Sequence, residues 1–169
     1  MTTRIYSVYN GANAATAAAK VTTGSALKSM LVLSPPATLA FEIIEWGISF
    51  DGAAAATPGV CELYDVLAQS VAHTVTAYAA ADITKVNRAA GSLASNLTLG
   101  TANSGFTASA EGTITTAMQH DVQLLPPTAP YVKQFPLERG PEVLASEFER
   151  IRVTFGTAIS ALCYIVWAE

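Results

Sequence analysis

The feature of this sequence that most constrains its fold is a period-two alternation of apolar and polar residues, which recurs in short segments along most of the chain. Such alternation is typical of β-strands, because successive side chains of a strand point to opposite faces of a sheet. Turn-forming residues such as Asn10-Gly11, Asp51-Gly52, Pro58-Gly59 and Asn103-Ser104-Gly105 separate the segments. The pattern predicts an all-β protein, a single jelly-roll-like β-sandwich over residues 1–169, with little helix and with residues 1–5 as a candidate N-terminal arm.

The alternation assigns most of the chain to strands. The predicted strands are 4–9, 26–33, 40–50, 59–66, 73–79, 95–99, 112–118, 121–125, 130–135, 150–155 and 159–167. The alanine-rich segment 12–20 carries no apolar stripe, and we expect it to be a surface loop or one loose turn. Segment 140–151 fits either a short helix, because Val143, Leu144 and Phe148 would share a face, or an irregular approach to the next strand.

The C-terminal hairpin has the clearest pattern. Ile151, Val153 and Phe155 alternate with polar residues, whereas segment 159–167 is apolar at both parities. A strand that is apolar on both faces is expected to be covered on both faces. The second cover would be either another subunit or a segment of the same chain.

The stretch "FEIIEWGISFDG" (41–52) raises the question of an active site, because paired carboxylates beside an aromatic ring are used by glycosidases. On a regular strand, Glu42 and Glu45 point to opposite faces and cannot flank one glycosidic bond. A bulge near Ile43-Ile44 would change that parity. The regular pattern predicts a core face with Asp51-Gly52 as the closing turn. The residues of that predicted core face are Ile44, Trp46, Ile48 and Phe50.

Other arrangements of catalytic or metal-binding residues are not recognisable in the sequence. The two histidines, His73 and His120, and the two cysteines, Cys61 and Cys163, show none of the paired spacings of a zinc site. Both cysteines lie in apolar runs, so we expect buried free thiols. The sequence therefore predicts neither an enzyme nor a bound metal or cofactor.

The charge content limits the partners of the chain. Only 13% of the residues are charged and the net charge is −4, so the dense basic patch that binds nucleic acid is missing. No apolar run reaches the roughly 18 residues of a membrane span, and the first residues do not resemble a secretion signal. We therefore expect neither nucleic acid nor membrane as a partner, and synthesis in a cytoplasm.

Two further features are compatible with binding or with structure alone. Aromatic residues at strand positions could stack on sugars, although such residues more often fill a core. The proline-rich segment 124–141 could lie along another surface, or it could form a rigid crossover between two sheets.

Most of the chain resembles a group of small head proteins of tailed bacteriophages. The resemblance is carried by the stretches "RIYSVYNGANAATAAAKVTTGSALKSML", "EWGISFDGAAAATPGVCEL", "APYVKQFPLERGPEV" and "RIRVTFGTAISALCYIVWAE". These stretches are similar to capsid decoration, or cement, proteins, which are β-sandwich or jelly-roll subunits, commonly trimeric, on the outside of the head. The resemblance implies a homotrimer that binds the major capsid protein and stabilises the shell, on the capsid exterior, after synthesis in the bacterial host.

Contact with a capsid would be made by extended segments at the N-terminus and in the proline-rich region. The residues predicted to make it are Thr2, Thr3, Arg4, Tyr6, Pro126, Pro127, Tyr131, Lys133 and Phe135. The alternatives are a carbohydrate-binding module and a head-fibre or tail subunit displayed on a virion.

Overall fold

A computed structural model gives the fold for residues 3–53, 56–89, 91, 94–136 and 138–169. Two antiparallel β-sheets pack together, which confirms the prediction of an all-β sandwich. The strands are β1 (Ile5–Tyr9), β2 (Val21–Thr22), β3 (Lys28–Leu33), β4 (Phe41–Asp51), β5 (Gly59–Val71), β6 (Thr74–Ala77), β7 (Thr84–Lys85), β8 (Gly105–Ala110), β9 (Thr113–Leu125), β10 (Tyr131–Gln134), β11 (Glu142–Val143), β12 (Phe148–Thr154) and β13 (Ser160–Ala168). Helical structure in these residues is limited to a 3₁₀ turn at Ala80–Asp82. In the described part of the chain, no helix is long and apolar enough to cross a membrane.

Strands that are distant in sequence lie side by side in both sheets. The first sheet has the order β10-β4-β13-β1-β7, and the short strands β11 and β2 pair with β4 and β13. The second sheet has the order β6-β8-β3-β12-β5-β9. β12 belongs to the second sheet, whereas β13 lies in the first, between β4 and β1. The two strands of the C-terminal hairpin predicted from the sequence are therefore divided between the two sheets.

The main core lies between the sheets and receives side chains from both. Trp46 and Trp167 of the first sheet and Leu63 of the second are fully buried in it. Burying one Leu or Ile side chain of this kind stabilises the fold by roughly 1.5–3 kcal/mol. The two-residue period of β13 is clear in its inward residues, Cys163 and Ile165, which are also fully buried.

The second sheet is strongly curled. β5 and β6 are four positions apart in the sheet order, a separation of about 19 Å if the sheet were flat. Only three residue steps connect Val71 to Thr74, and these span at most about 11 Å. The far end of β5 must therefore bend towards β6. A second, small core of Val32, Val75 and Ala108 packs with Phe148 on the side of the sheet away from the main core.

Some predicted boundaries were wrong. β9 runs without interruption through the two strands predicted at 112–118 and 121–125, because register shifts absorb the irregularity in its pairing with β5. Segment 95–99 forms a single bridge, Leu99 to Ser104, instead of a strand. Segment 140–151 is not a short helix but β11, a turn and the beginning of β12, which agrees with the alternative of an irregular approach to the next strand.

Gly105 begins a strand at a position that the sequence assigned to a turn. A Cβ atom there would lie 2.3 Å from the carbonyl oxygen of Thr76, so only glycine permits β8 to approach β6 so closely. The glycine therefore serves strand packing and not a reversal of the chain.

Candidate functional site

The predicted N-terminal contact residues are mostly engaged within the fold. Thr2 lies outside the described residues. Thr3 is exposed, whereas Arg4 continues the ladder of β1 and β13, because its N–H donates to the Glu169 carbonyl and its carbonyl accepts from the Glu169 N–H. Residues 4 and 5 of the candidate arm are thus paired with the C-terminal strand.

Tyr6 is not a surface residue, contrary to the prediction. Its side chain is fully buried and stacks on Trp167 with 5.7 Å between the ring centres. Its hydroxyl donates to the Ala94 carbonyl at 2.8 Å. Residue 6 has the inward parity on β1, so it belongs to the core.

The proline-rich segment connects the two sheets. Residues 126–130 lead from β9, the edge of the second sheet, to β10, the edge of the first, which is the crossover geometry considered for this segment. Pro126 is exposed, but Pro127 is buried against Gly52, where a Cβ atom would come within 2.7 Å of the Pro127 Cβ. Of the two prolines predicted to make contacts, only Pro126 is on the surface.

β10 is an edge strand whose free side remains available for pairing. Tyr131 anchors it, because the Tyr131 ring packs 5.3 Å from the Trp46 ring and the hydroxyl donates to Asp121 at 2.8 Å. Lys133 is exposed, with its Nζ 5.7 Å from the centre of the half-buried Phe135 ring. β10 falls within the strand predicted at 130–135, and of these three side chains only Lys133 is exposed.

An apolar patch covers the outer face of the first sheet. We call the group Tyr9, Val132, Leu162 and Tyr164 the outer patch. Tyr9 and Val132 are 54% and 57% exposed, and the four residues border a shallow cavity of about 190 Å³. Tyr164 of β13 points to the face opposite to that of the buried Cys163. It pairs with Tyr9 of β1 on one side and with Gly47 of β4 on the other.

Gly47 makes room for the central ring of the outer patch. A Cβ atom at Gly47 would lie 2.5 Å from Cε1 of Tyr164, so the tyrosine ring lies flat across the glycine. The Tyr164 hydroxyl then donates to Glu45 at 2.5 Å. The outward residues of β13 are half-buried, so the second cover predicted for this strand is only partly supplied by the described residues.

The glutamates of β4 lie on one face, contrary to the prediction. Glu45 pairs with Val166 and Ile43 pairs with Trp167, so Ile44 is an extra, bulged residue. The bulge turns both Ile43 and Trp46 inward. It therefore turns Glu42 and Glu45 outward together, and Ile44 leaves the predicted core stripe. Glu42 accepts from the Gly140 N–H at 2.8 Å, and Glu45 accepts from Tyr164.

Three ionisable side chains meet at the inner face of the second sheet, and we call Asp65, His120 and Glu149 the acid–histidine cluster. Asp65 of β5 lies directly opposite Glu149 of β12. His120 occupies a bulge of β9, and its Nδ1 lies 3.2 Å from Glu149 Oε2. Glu149 is fully buried and Asp65 nearly so. One ligand atom from each side chain lies within 4.8 Å of the other two.

Burial and mutual charge shift the protonation of the acid–histidine cluster. Burial, followed by the charges of Glu149 and Glu147, raises the pKa of Asp65 to about 7. Burial also raises the pKa of Glu149. Burial alone would lower the pKa of His120, but the hydrogen bond to Glu149 and the neighbouring acids raise it above its ordinary value. Without another cation, these groups must therefore share protons.

A cavity of about 760 Å³ opens beside His120 at the edge of the sandwich. Its wall includes Phe135 of the segment after β10, as well as Glu42, Glu138 and Glu142. The wall also includes Arg139, and of the three cluster residues only His120 borders the cavity.

The cluster is not recognisable as a motif in the sequence, because its members are far apart in the chain. A signal was nevertheless present. Asp65 continues the inward parity of Cys61 and Leu63, and Glu149 shares the parity of Ile151. Two acids at core positions of separate strands are unusual and indicate a partner.

The zinc site considered from the two cysteines and two histidines does not form. Among the described residues, the acid–histidine cluster is the one group of three or more potential metal ligands that lie close together. Cys61 and Cys163 are buried free thiols, as predicted, and burial raises the pKa of Cys61 to about 12. His73 lies with Arg150 instead.

Comparison of the chain with protein-family models, with curated proteins and with solved structures gives no match. A role must therefore be inferred from the surfaces and the interior of the molecule itself.

Proposed function

We propose that the chain is a virion structural subunit, a decoration or cement protein that binds the outside of a phage head and clamps neighbouring capsid subunits. The outer patch carries this proposal. It presents exposed apolar side chains on a sheet face whose neighbouring residues carry few charges. Such a face suits a complementary protein surface and does not suit a polyanion. The major capsid protein is the partner that the resemblance implies.

The edge strand supports the same role. β10 borders the outer patch through Val132, and its free side offers backbone donors and acceptors to a strand of another chain. Its anchoring by Tyr131 keeps the edge in a fixed position on the core, so little ordering entropy is lost on docking. A trimer would repeat this surface three times, and modest affinities at each copy would then combine.

The test uses one variant in the outer patch and one matched control. Val132→Asp places a charge in the patch, and Leu124→Asp places the same charge on β9, where Leu124 is 68% exposed. Purified protein is pelleted with undecorated heads of the phage that encodes it, and light scattering gives the mass of the free protein. We expect the native chain and Leu124→Asp to be trimeric and to sediment with heads, and Val132→Asp to lose at least about tenfold in affinity. A monomer that does not bind heads would overturn the proposal.

The second candidate is a carbohydrate-binding module displayed on a virion. Tyr9 and Tyr164 favour it, because the two rings are adjacent on the outer face. Their planes are tilted by 42°, however, and both tryptophans are buried, so a flat stacking platform is not formed by these residues. Binding of the native chain to a glycan array, lost on Tyr9→Ala, would favour this candidate over capsid docking.

A further inference from the structure

We propose that Asp65, His120 and Glu149 bind a divalent transition-metal ion, with zinc or manganese as the class that the donor set fits. The inference concerns the interior of the second sheet and does not depend on the proposed virion role. The three side chains come from the neighbouring strands β5, β9 and β12, so the ion would join the edge strand β9 to the body of the sheet.

The distances are close to those of a metal site. The three ligand atoms lie within 4.8 Å of one another, and His120 Nδ1 is already 3.2 Å from Glu149 Oε2. Ligands around a tetrahedral zinc ion are separated by about 3.4 Å, since each bond is about 2.1 Å long. Rotation of the Asp65 carboxylate would close the remaining gap.

Unpartnered oxygens give a second, independent indication. Asp65 Oδ1 and Glu149 Oε1 are buried and accept no hydrogen bond from the described residues. A buried carboxylate oxygen without a donor is costly, because it has lost its water and gained nothing in return. A cation between the two carboxylates would satisfy both oxygens.

The acidic residues around the cluster favour a cation. Asp65 and Glu149 face one imidazole, and Glu147 adds a third carboxyl group close to them. The neighbouring Arg150 does not offset these acids, since it has the opposite parity on β12 and extends towards Glu111 and Gln69. His120 also borders a cavity whose wall holds three glutamates and Arg139.

The donor types restrict the metal. One imidazole nitrogen with two carboxylates suits zinc, manganese or iron(II), whereas magnesium and calcium prefer oxygen ligands alone. The absence of cysteine from the cluster excludes the thiolate sites that select copper(I).

The experiment measures metal binding by the full chain after treatment with a chelator. Zn²⁺ and Mn²⁺ are titrated separately by calorimetry, and Ca²⁺ serves as the oxygen-preferring control. We expect one ion per chain, a higher melting temperature with Zn²⁺, and binding that is at least about tenfold weaker in Glu149→Gln and in Asp65→Asn. Glu138→Gln, an exposed change in the cavity wall, is the matched control and should bind as the native chain does.

Folding of the variants is checked without metal. Glu149→Gln and Asp65→Asn keep the side-chain shape, so both metal-free variants should give the circular dichroism spectrum of the metal-free native chain. Glu149→Gln also removes the anionic partner of His120 and should melt lower. The Co²⁺ form should also lack a thiolate charge-transfer band. The proposal is overturned if the native chain binds neither Zn²⁺ nor Mn²⁺ at micromolar concentration, or if Glu149→Gln and Asp65→Asn bind them unchanged.

Discussion

At the scale of single residues, Arg150 shows how this sandwich holds a charge in its interior. The guanidinium is fully buried and donates to the Glu111 carbonyl at 3.0 Å and to Gln69 at 3.1 Å. Its third contact is with His73 Nδ1, at 3.0 Å. Because a guanidinium has only donors, His73 must accept through Nδ1 and carry its proton on Nε2, which donates to the Asn103 carbonyl. The imidazole is therefore neutral in the folded protein.

The neutral state of His73 predicts how stability depends on pH. Burial lowers the pKa of His73, and the charge of Arg150 lowers it further, against the opposing effects of the Asn103 carbonyl and Glu111. Below about pH 6.5, His73 binds a proton in the unfolded chain but stays neutral in the folded chain until the pH reaches its lower folded-state pKa. This contribution to the free energy of unfolding is complete above pH 6.5 and falls as the pH drops towards the folded-state pKa.

His73→Gln tests this linkage, because glutamine can still accept from Arg150 but does not titrate. Urea unfolding between pH 7 and pH 5 should give a shallower loss of stability in His73→Gln than in the native chain. Equal slopes for the two proteins would show that His73 does not carry the effect.

At the scale of elements, the bulge at Ile44 has the largest effect on what β4 presents. The alternation in the sequence correctly indicated a strand and its approximate length, and β4 extends to Asp51, which was predicted to begin the closing turn. It did not indicate the bulge, because the register that places it is set by β13, more than a hundred residues later. The inward parity of residues 41–43 therefore differed from the prediction.

Deletion of Ile44 tests the assignment of the bulge. Because Ile44 is the extra residue, its removal puts Ile43 directly before Glu45 in a regular strand, with Phe41 and Ile43 still inward and Glu42 still outward. We expect the deletion variant to fold, with a loss of no more than about 2 kcal/mol in the free energy of unfolding.

Ile44→Ala is the control for that deletion, since it keeps the bulge and removes only a half-buried side chain. It should cost about 1 kcal/mol in the same urea titration. A deletion variant that fails to fold while Ile44→Ala folds would contradict the assignment of Ile44 as the extra residue.

The same distinction explains which parts of the candidate sites could be foreseen. The strand within segment 130–135 followed from its local pattern, whereas its edge position depends on the strand order of the sheet. The burial of Tyr6 and the meeting of Asp65 with Glu149 depend on which strands become neighbours, which local alternation does not contain. Gly105 was misassigned for a related reason, since a glycine that permits close packing looks the same in sequence as one that permits a turn.

At the scale of the whole molecule, few charges oppose association. The net charge is −4 at pH 7 and the isoelectric point is near 5.1. The electrostatic repulsion between copies of the protein therefore vanishes at mildly acidic pH. Apolar surfaces such as the outer patches of two copies can then come into contact.

Acidification should therefore increase self-association. Light scattering from pH 7.5 to pH 5 should show growth of species larger than the one present at pH 7.5. The growth should be reduced in Val132→Asp relative to Leu124→Asp, because both variants carry the same added charge and only the first alters the outer patch. Equal growth in the two variants would show that the outer patch is not the contact.

The central place of β13 in the first sheet has a consequence for the order in which this protein can be made. β1 and β4 are translated early, yet each pairs with β13, the last of the strands to leave the ribosome. At about 5–20 residues per second, β1 waits on the order of ten seconds for its neighbour. Until then, β1 and β4 lack the strand that lies between them, and their unpaired edges are accessible to chaperones and proteases. A chain that stops before β13 lacks Leu162 and Tyr164 of the outer patch, together with the strand that joins β1 to β4.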